Sequence, residues 1–469
     1  MDWNLLLNNT RRKDGKEPST GLSAIPQSRT EIERDYDRIL FSTPVRRLAD
    51  KTQVFPMEIN DSVRTRLTHS HEVSNLARSI GTDLVFNHQD EVKIDECLMP
   101  QRNIPSILAA IGLAHDLGNP PFGHQGEKAI GKWFEDNIGI FKEQEGITAV
   151  MVSDFVNFEG NAQTFRLVTK LQLLNDDFGL NLTYGTLAAL LKYTVPSNRV
   201  DKKHSSRKKY GYFQSESIIV EDVWQKTGLK EGIRHPVTYI MEACDDIAYS
   251  VLDAEDSIKK QLVSFPDLIS YLAHTCKDDT LVKGVIDQAN NKHVEFRKSK
   301  LSPAELNDVS MQMFRVYSIS AMVSEVKKSF LKNFDSIMEG SFEHDLMGCS
   351  DAFKFCEELK EFDRANGYNH KSVLSLELQG YNTLKKIMDI IWAAIIDREE
   401  VGNLKKKRKN PLSAYVYGRI SENYRRIFED ENNQLPLRYK EAQLLTDMVS
   451  GMTDSYAVSF FNDLKRFNS

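Results

Sequence analysis

Long apolar stretches are the first thing missing. No run of apolar residues approaches the roughly 20 needed to span a bilayer. The opening "MDWNLLLNNTRRKDGKEP" has no apolar signal core followed by a small-residue cleavage site, so cytoplasmic residence is the expectation. Cysteine is scarce: Cys97, Cys244, Cys276, Cys349 and Cys356 are odd in number and none lies in CxxC spacing. That excludes a disulfide framework and a zinc knuckle and fits reduced thiols. An excess of one charge is missing as well. With 61 basic and 67 acidic side chains the net charge is -6, which gives no global attraction to nucleic acid. Any basic site must therefore be local. There is no internal repeat and no low-complexity tract.

What is present is helix after helix. The 469 residues can bury a large core. "RTEIERDYDRILFS", "SHEVSNLARSIGTDLV", "IPSILAAIGLAHDLG", "HPVTYIMEACDDIAYSVLDAEDSI", "MFRVYSISAMVSEVKKSFLKNF" and "SVLSLELQGYNTLKKIMDIIWAAII" all space apolar residues at helical period. Only "KTQVFPM" and "YGYFQSES" suggest strands. The class is mainly α. Residues 1–30 read as a polar, loosely packed N-terminal arm, 31–265 as the site-bearing core, and 266–469 as a further helical region. Two charged stretches interrupt the pattern, a basic loop at 195–213 and "LKKKRKN". A charge run is usually a solvated face, and Lys405 to Lys409 are read so.

Four pieces carry candidate chemistry. In "LAHDLGNPPFGHQGE", His115 and Asp116 close an apolar helix, putting an imidazole and a carboxylate side by side in a dry place. Such a pair alone is commonly just a satisfied hydrogen bond. In "RTRLTHSHEVSNLA" a helix begins, with Thr68 or Ser70 near the cap. His69 and His71 are about 200° apart on the helical wheel, and His69 shares the stripe of Val73, Leu76 and Ala77. His69 is then the inward candidate and His71 the outward one. In "EACDDIAYSVLDAED", Asp245, Tyr249 and Asp253 fall at i, i+4, i+8 on one face, extended by Glu242, and Pro236 suits the helix start. Acids stacked on a largely apolar helix need a cation or donors. Two imidazoles and two carboxylates suit Mg²⁺, Mn²⁺, Fe²⁺, Co²⁺, Ni²⁺ or Zn²⁺. Finally, His124 and Glu127 follow the Pro-Pro turn at i, i+3, so Glu127 can hold His124 in one tautomer for acid–base work. The bland alternative is a carboxylate meeting a helix dipole. Lys192 and Lys209 flank apolar segments and suit polyphosphate, although a single lysine is more often a surface residue.

The order His…His-Asp…Asp resembles the HD-domain metallophosphohydrolases. The blocks "KTQVFP", "VRTRLTHSHEV", "LAHDLGNPPFGHQGE", "FEGNAQTFR", "LLKYTVPS", "YGYFQSE", "YIMEACDDIAY" and "VSGMTDSYA" together resemble bacterial deoxyguanosine triphosphate triphosphohydrolases, from about Arg29 onward. The resemblance implies a helical HD domain that cuts dGTP, or another dNTP, into a deoxynucleoside and inorganic triphosphate. It implies His69, His115, Asp116 and Asp245 as ligands of a divalent metal, foremost Mg²⁺ or Mn²⁺. His124 is implied as the catalytic histidine, supported by Glu127. It puts Arg66, Lys192, Lys209 and Tyr249 near the triphosphate, Gln53 and Asp253 near the sugar, and Asn161 in the pocket. It further implies a tetramer or hexamer in which 266–469 completes the pocket and the interface, with Arg438 the nearest candidate for an arginine entering a neighbour's site. A nucleotide or single-stranded DNA effector would be compatible with it. His71 stands where many relatives carry an apolar residue. The rival readings are an HD phosphohydrolase for another nucleotide, or a nucleic-acid-binding regulator with a relict site.

Overall fold

Caps turn the helical periodicity into helices with defined ends. In a computed structural model describing residues 1–14, 28–58, 60–142, 146–172, 177–400 and 403–467, "RTEIERDYDRILFS" forms the helix Glu31–Leu40. Thr30 and Glu33 cap it reciprocally, side chain to backbone amide. The first fourteen residues are packed, not loose. Trp3, Leu6 and Leu7 are buried, and Arg11 bonds Asp35 at 2.7 Å. The rest of the arm, residues 15–27, lies outside the described residues.

Three helices frame the centre. The helix Arg66–Asn87 begins at Thr65, three residues before the expected cap. Thr68 instead returns its hydroxyl to the Thr65 amide, and Ser70 is buried inside the helix. The helix Pro100–Ala114 crosses it closely at Gly112. A Cβ there would sit 2.7 Å from the Ser74 Cα, and Ser74 Oγ donates to Ala109 O at 2.8 Å across the same crossing. That crossing brings His69 opposite His115. The third helix, Pro236–Lys259, starts at Pro236 with His235 as its cap and buries all but a few of its residues.

The remaining helices wrap this centre. Pro303–Lys332, Lys371–Ile396, Leu437–Ser450 and Asp454–Phe467 share one continuous apolar core with it, from Trp3 to Leu464. A small separate cluster joins Val54, Phe55 and Val63 to Val373. Burial of this extent is the main stabilising term of a helical protein.

Two expectations need correction. Among the described residues there is no strand. "KTQVFPM" makes a single antiparallel bridge, Thr52 with Thr65, while the Lys51 ammonium and the Thr52 amide are engaged by the C-terminal region. "YGYFQSES" is coil leading into the short turn Gln214–Glu216. Its Tyr210, Tyr212 and Phe213 enter the helical core instead of a sheet. The "LKKKRKN" run is also not uniformly solvated: Arg408 is buried, stacked 3.4 Å over the Tyr417 ring. All five cysteines are free thiols. Among the described residues no helix is long and apolar enough to cross a membrane.

Candidate metal centre and active-site cleft

The turn after Ala114 sets the site. His115 continues the apolar helix as its cap, and its Nδ1 faces Gly112 O at 2.7 Å. Nδ1 therefore carries the hydrogen, and Nε2 points away, buried and without a hydrogen-bond partner. Gly118 is required next. A Cβ there would lie 2.2 Å from Thr164 N, while Gly118 N donates to Thr164 Oγ1 at 2.8 Å. The block "FEGNAQTFR" thus forms the bed of the turn.

His69, His115 and Asp116 offer ligand atoms that all lie within 4.8 Å of one another. Asp245 Oδ1 lies 3.2 Å from His69 Nε2 and 3.5 Å from His115 Nε2. An unpartnered buried imidazole nitrogen facing two carboxylates and a second imidazole fits a divalent ion of the first transition row or Mg²⁺. Cations stand behind the carboxylates. Arg66 Nη1 donates to Asp116 Oδ2 at 2.6 Å, and Lys192 Nζ to Asp245 Oδ2 at 3.0 Å. Burial opposes every charge here, yet the charges hold one another. Asp116 is held at about 2, against burial, by Arg66 and the two imidazoles. Lys192 and His115 keep Asp245 well below the usual carboxylate range, again against burial. Burial alone would lower His115, but Asp116 and Asp245 raise it to about 9. A metal ion would take the place of that proton.

The centre opens into a cleft of about 540 Å³. Of the thirteen expected residues, it brings twelve together: Gln53, Arg66, His69, His115, Asp116, His124, Glu127, Asn161, Lys192, Lys209, Asp245 and Tyr249 all line it. His124 begins the helix Gly123–Asp136, its side chain 77 % exposed to the cleft mouth. Its Nδ1 meets Glu127 Oε2 at 2.7 Å, while Glu127 Oε1 accepts from Gly160 N at 2.9 Å. Burial raises the Glu127 carboxyl, but His124 and Lys209 bring its pKa below the ordinary value. It therefore stays an acceptor and leaves His124 Nε2 free for proton transfer. On the far wall, Lys209 and Asn161 both bond Glu159, at 2.8 Å and 2.7 Å.

The thirteenth residue, Asp253, does not line the cleft. It is 0 % exposed and accepts from the Tyr368 hydroxyl, whose ring lies 5.9 Å from that of Tyr249. Glu242, one turn before Asp245, is buried against Arg234 at 2.6 Å. Arg438 lies away from the cleft and bonds Glu441 on its own helix. His71 is exposed on the opposite face of its helix, as its spacing predicts, and lines a separate polar hollow with Arg78 and Arg102.

Sequence reasoning missed a second wall. Arg364, Tyr368 and Asn369, from the turn between the helices Phe353–Asp363 and Lys371–Ile396, and Leu374 and Glu377, from the first turns of the latter helix, line the cleft. The available signal was "RANGYNH", a break in helical periodicity holding Gly, Tyr, Asn and His. Asn119 was missed too; its Nδ2 donates to Asp116 Oδ1 at 2.6 Å.

Comparison with known proteins agrees with this geometry. Residues 66–177 match the HD domain family. The chain is 36 % identical to a "deoxyguanosinetriphosphate triphosphohydrolase-like protein" of Listeria innocua, over 99 % of each chain. It is 33 % identical to a protein of the same description from Synechocystis, again over 99 % of each. It is 31 % identical to a deoxyguanosinetriphosphate triphosphohydrolase of Yersinia pseudotuberculosis, over 92 % of this chain and 93 % of the other. A paired imidazole–carboxylate centre on an HD-domain match, with full-length similarity of this kind, places the chain in the deoxyguanosinetriphosphate triphosphohydrolase family of HD-domain phosphohydrolases.

Proposed function

We propose that this protein hydrolyses dGTP, and other deoxynucleoside triphosphates that fit the same cleft, to a deoxynucleoside and inorganic triphosphate. One observation carries the reading. A two-imidazole, two-carboxylate centre, a carboxylate-held histidine and three cations share one cleft. A divalent ion held by His69, His115, Asp116 and Asp245 would supply Lewis-acid polarisation of a phosphoryl oxygen.

The protein's own groups do the rest. Arg66 and Lys192 lie against the ligand carboxylates at 2.6 and 3.0 Å, and Lys209 stands on the other wall. Together they offset the charge of a triphosphate chain. Water oxygen bonds to the α-phosphorus and gives up a proton, while the bond from that phosphorus to the 5′ oxygen breaks and the departing oxygen takes one up. His124 Nε2, oriented by Glu127 through Nδ1, handles the proton at the nucleophile or at the departing oxygen. Tyr249 and Tyr368, beside Gln53, form a wall suited to a sugar ring, with Asp253 behind it. The family resemblance extends the proposal to a homo-oligomer, which light scattering of the purified protein would count.

The test is a product assay in ¹⁸O-labelled water, with Mn²⁺ or Mg²⁺, each of the four dNTPs and GTP. Deoxyguanosine and intact triphosphate are expected, with the label in the triphosphate alone. Pyrophosphate or orthophosphate as the first product would overturn the reading. Label in the nucleoside would overturn attack at phosphorus.

A further inference from the structure

Two segments far apart in sequence lie side by side beneath the metal turn. Lys51 Nζ donates to Ser450 O at 2.8 Å, across 399 positions, and Thr52 N donates to Asp454 Oδ2 at 3.0 Å, across 402. Two further bonds extend the pairing. Arg47 Nη1 donates to Gly451 O at 3.0 Å, and Ser455 Oγ donates to Asp50 Oδ1 at 2.8 Å. The block "VSGMTDSYA" therefore docks on the stretch just before "TQVFP".

Lys51 and Asp454 each hold a second bond, and both second bonds end on the metal turn. Lys51 Nζ donates to Asn119 O at 2.5 Å, and Asp454 Oδ1 accepts from Phe122 N at 2.9 Å. Asn119 in turn bonds the Asp116 carboxylate at 2.6 Å. Both residues are buried, Lys51 at 3 % exposure and Asp454 at 2 %. The Lys51 ammonium has two carbonyl partners and, among the described residues, no carboxylate bond. A buried ammonium held directly only by carbonyl oxygens is an expensive way to fill space; burial lowers its pKa to about 7 although the nearby Asp454 and Asp116 carboxylates favour the charge. Phe122, whose amide Asp454 holds, has φ 61° without being glycine. A backbone in that region persists only where its surroundings fix it.

We propose that Lys51 and Asp454 are positioning residues through which the C-terminal segment holds the 117–123 turn and aims Asp116, by way of Asn119, at the metal. The proposal rests on the metal-centre reading given above. Groups that orient a ligand commonly change metal affinity about 10–100-fold when removed.

The experiment measures Mn²⁺ affinity of the full chain without nucleotide, by the electron paramagnetic resonance signal of free Mn²⁺. Metal-free thermal unfolding is followed in parallel. Lys51→Met, which keeps the stem and removes the ammonium, should weaken Mn²⁺ binding about tenfold or more, and Lys51→Arg should recover part of the loss. Unchanged Mn²⁺ affinity in a folded Lys51→Met protein, whatever its melting temperature, would overturn the proposal by showing a merely structural role. Should Lys51→Met fail to fold, Asp454→Asn makes the same test, since its single carboxamide oxygen can serve either the Thr52 amide and hydroxyl or the Phe122 amide, but not both sides. Wild-type protein that binds Mn²⁺ but releases no triphosphate would remove the substrate assignment and leave the positioning role standing. Wild-type protein that binds no Mn²⁺ would remove both.

Discussion

At the scale of single residues, the proposed roles separate groups that hold from groups that react. Among the described residues His124 hydrogen-bonds Glu127 and none of the proposed metal ligands. His124→Ala should therefore lower kcat by about 10²–10⁴-fold, the usual worth of a general acid or base, with Mn²⁺ affinity unchanged by titration. Loss of the metal together with activity would show that its role has been misassigned. Tyr368 predicts the opposite kind of effect. Burial pushes the Asp253 carboxyl well up, and among the described residues the Tyr368 hydroxyl is its one hydrogen-bond donor, with Asp253 Oδ1 left unpartnered. Tyr368→Phe strips that partner and should cost about 1–3 kcal/mol of stability, read from the denaturant midpoint, together with a raised KM. The two halves of the site also differed in how legible they were. His69, His115, Asp116 and Asp245 were legible as a set, through their combination and the family blocks that carry them, because a single buried His-Asp pair is commonly just a satisfied hydrogen bond. Tyr368 and Asn369 were not, because an aromatic and an amide in a loop fit any surface turn.

At the scale of elements, helices were readable because each carries an apolar stripe, and the two supposed strands were not, because side-chain period alone cannot show what a backbone pairs with. The 51–56 stretch holds β-branched and aromatic residues like a strand, yet the Thr52 amide and the Lys51 ammonium find partners around residue 450 that no local pattern encodes. Cap position failed by three residues at Thr65 for a similar reason. Thr65, Thr68 and Ser70 are all competent caps, and only the path of the chain chooses among them. The crossing at Gly112 makes a sharp prediction. Gly112→Ala would drive a Cβ to 2.7 Å from Ser74 Cα. Overpacking of this kind costs about 1–3 kcal/mol, and the shift should also displace His69 from His115, so a lowered unfolding midpoint and weaker Mn²⁺ binding are expected together. The charged run divides within itself. Among the described residues Lys405 and Lys406 pair with exposed acids, Glu431 and Glu400, whereas Arg408 is buried on Tyr417. Replacing both lysines by Gln should leave stability within about 0.5 kcal/mol and triphosphate release unchanged, while Arg408→Ala should be destabilising by calorimetry.

At the scale of the whole molecule, distant segments close on the centre from both ends of the sequence. At the N-terminal side, His235 caps the Asp245 helix by accepting from Val237 N, so its Nε2 donates to Leu6 O, with Trp3 edge-on to its ring. Burial lowers its pKa from 6.5 to about 4. The folded state thus resists a proton that the unfolded chain accepts. The stabilisation is complete above about pH 6.5 and is lost as pH falls toward 4, amounting to about 3 kcal/mol in all. Asp154 and Asp256, both raised to about 6 against an ordinary 3.8, act in the reverse sense over the same window, because the folded state binds their protons more tightly. The advantage of wild type over His235→Asn isolates the histidine: it should shrink between pH 6.5 and 4 in denaturant titrations, and a constant difference would refute it. At the C-terminal side, the pairing of Lys51 with Ser450 closes a loop of nearly the whole chain. Contacts of such sequence separation pay their loop-closure entropy before they return any energy, so they tend to form late in folding. Refolding from denaturant should accordingly regain helical signal first and metal binding afterwards, so that the hydrolytic centre is the last part of the molecule to mature.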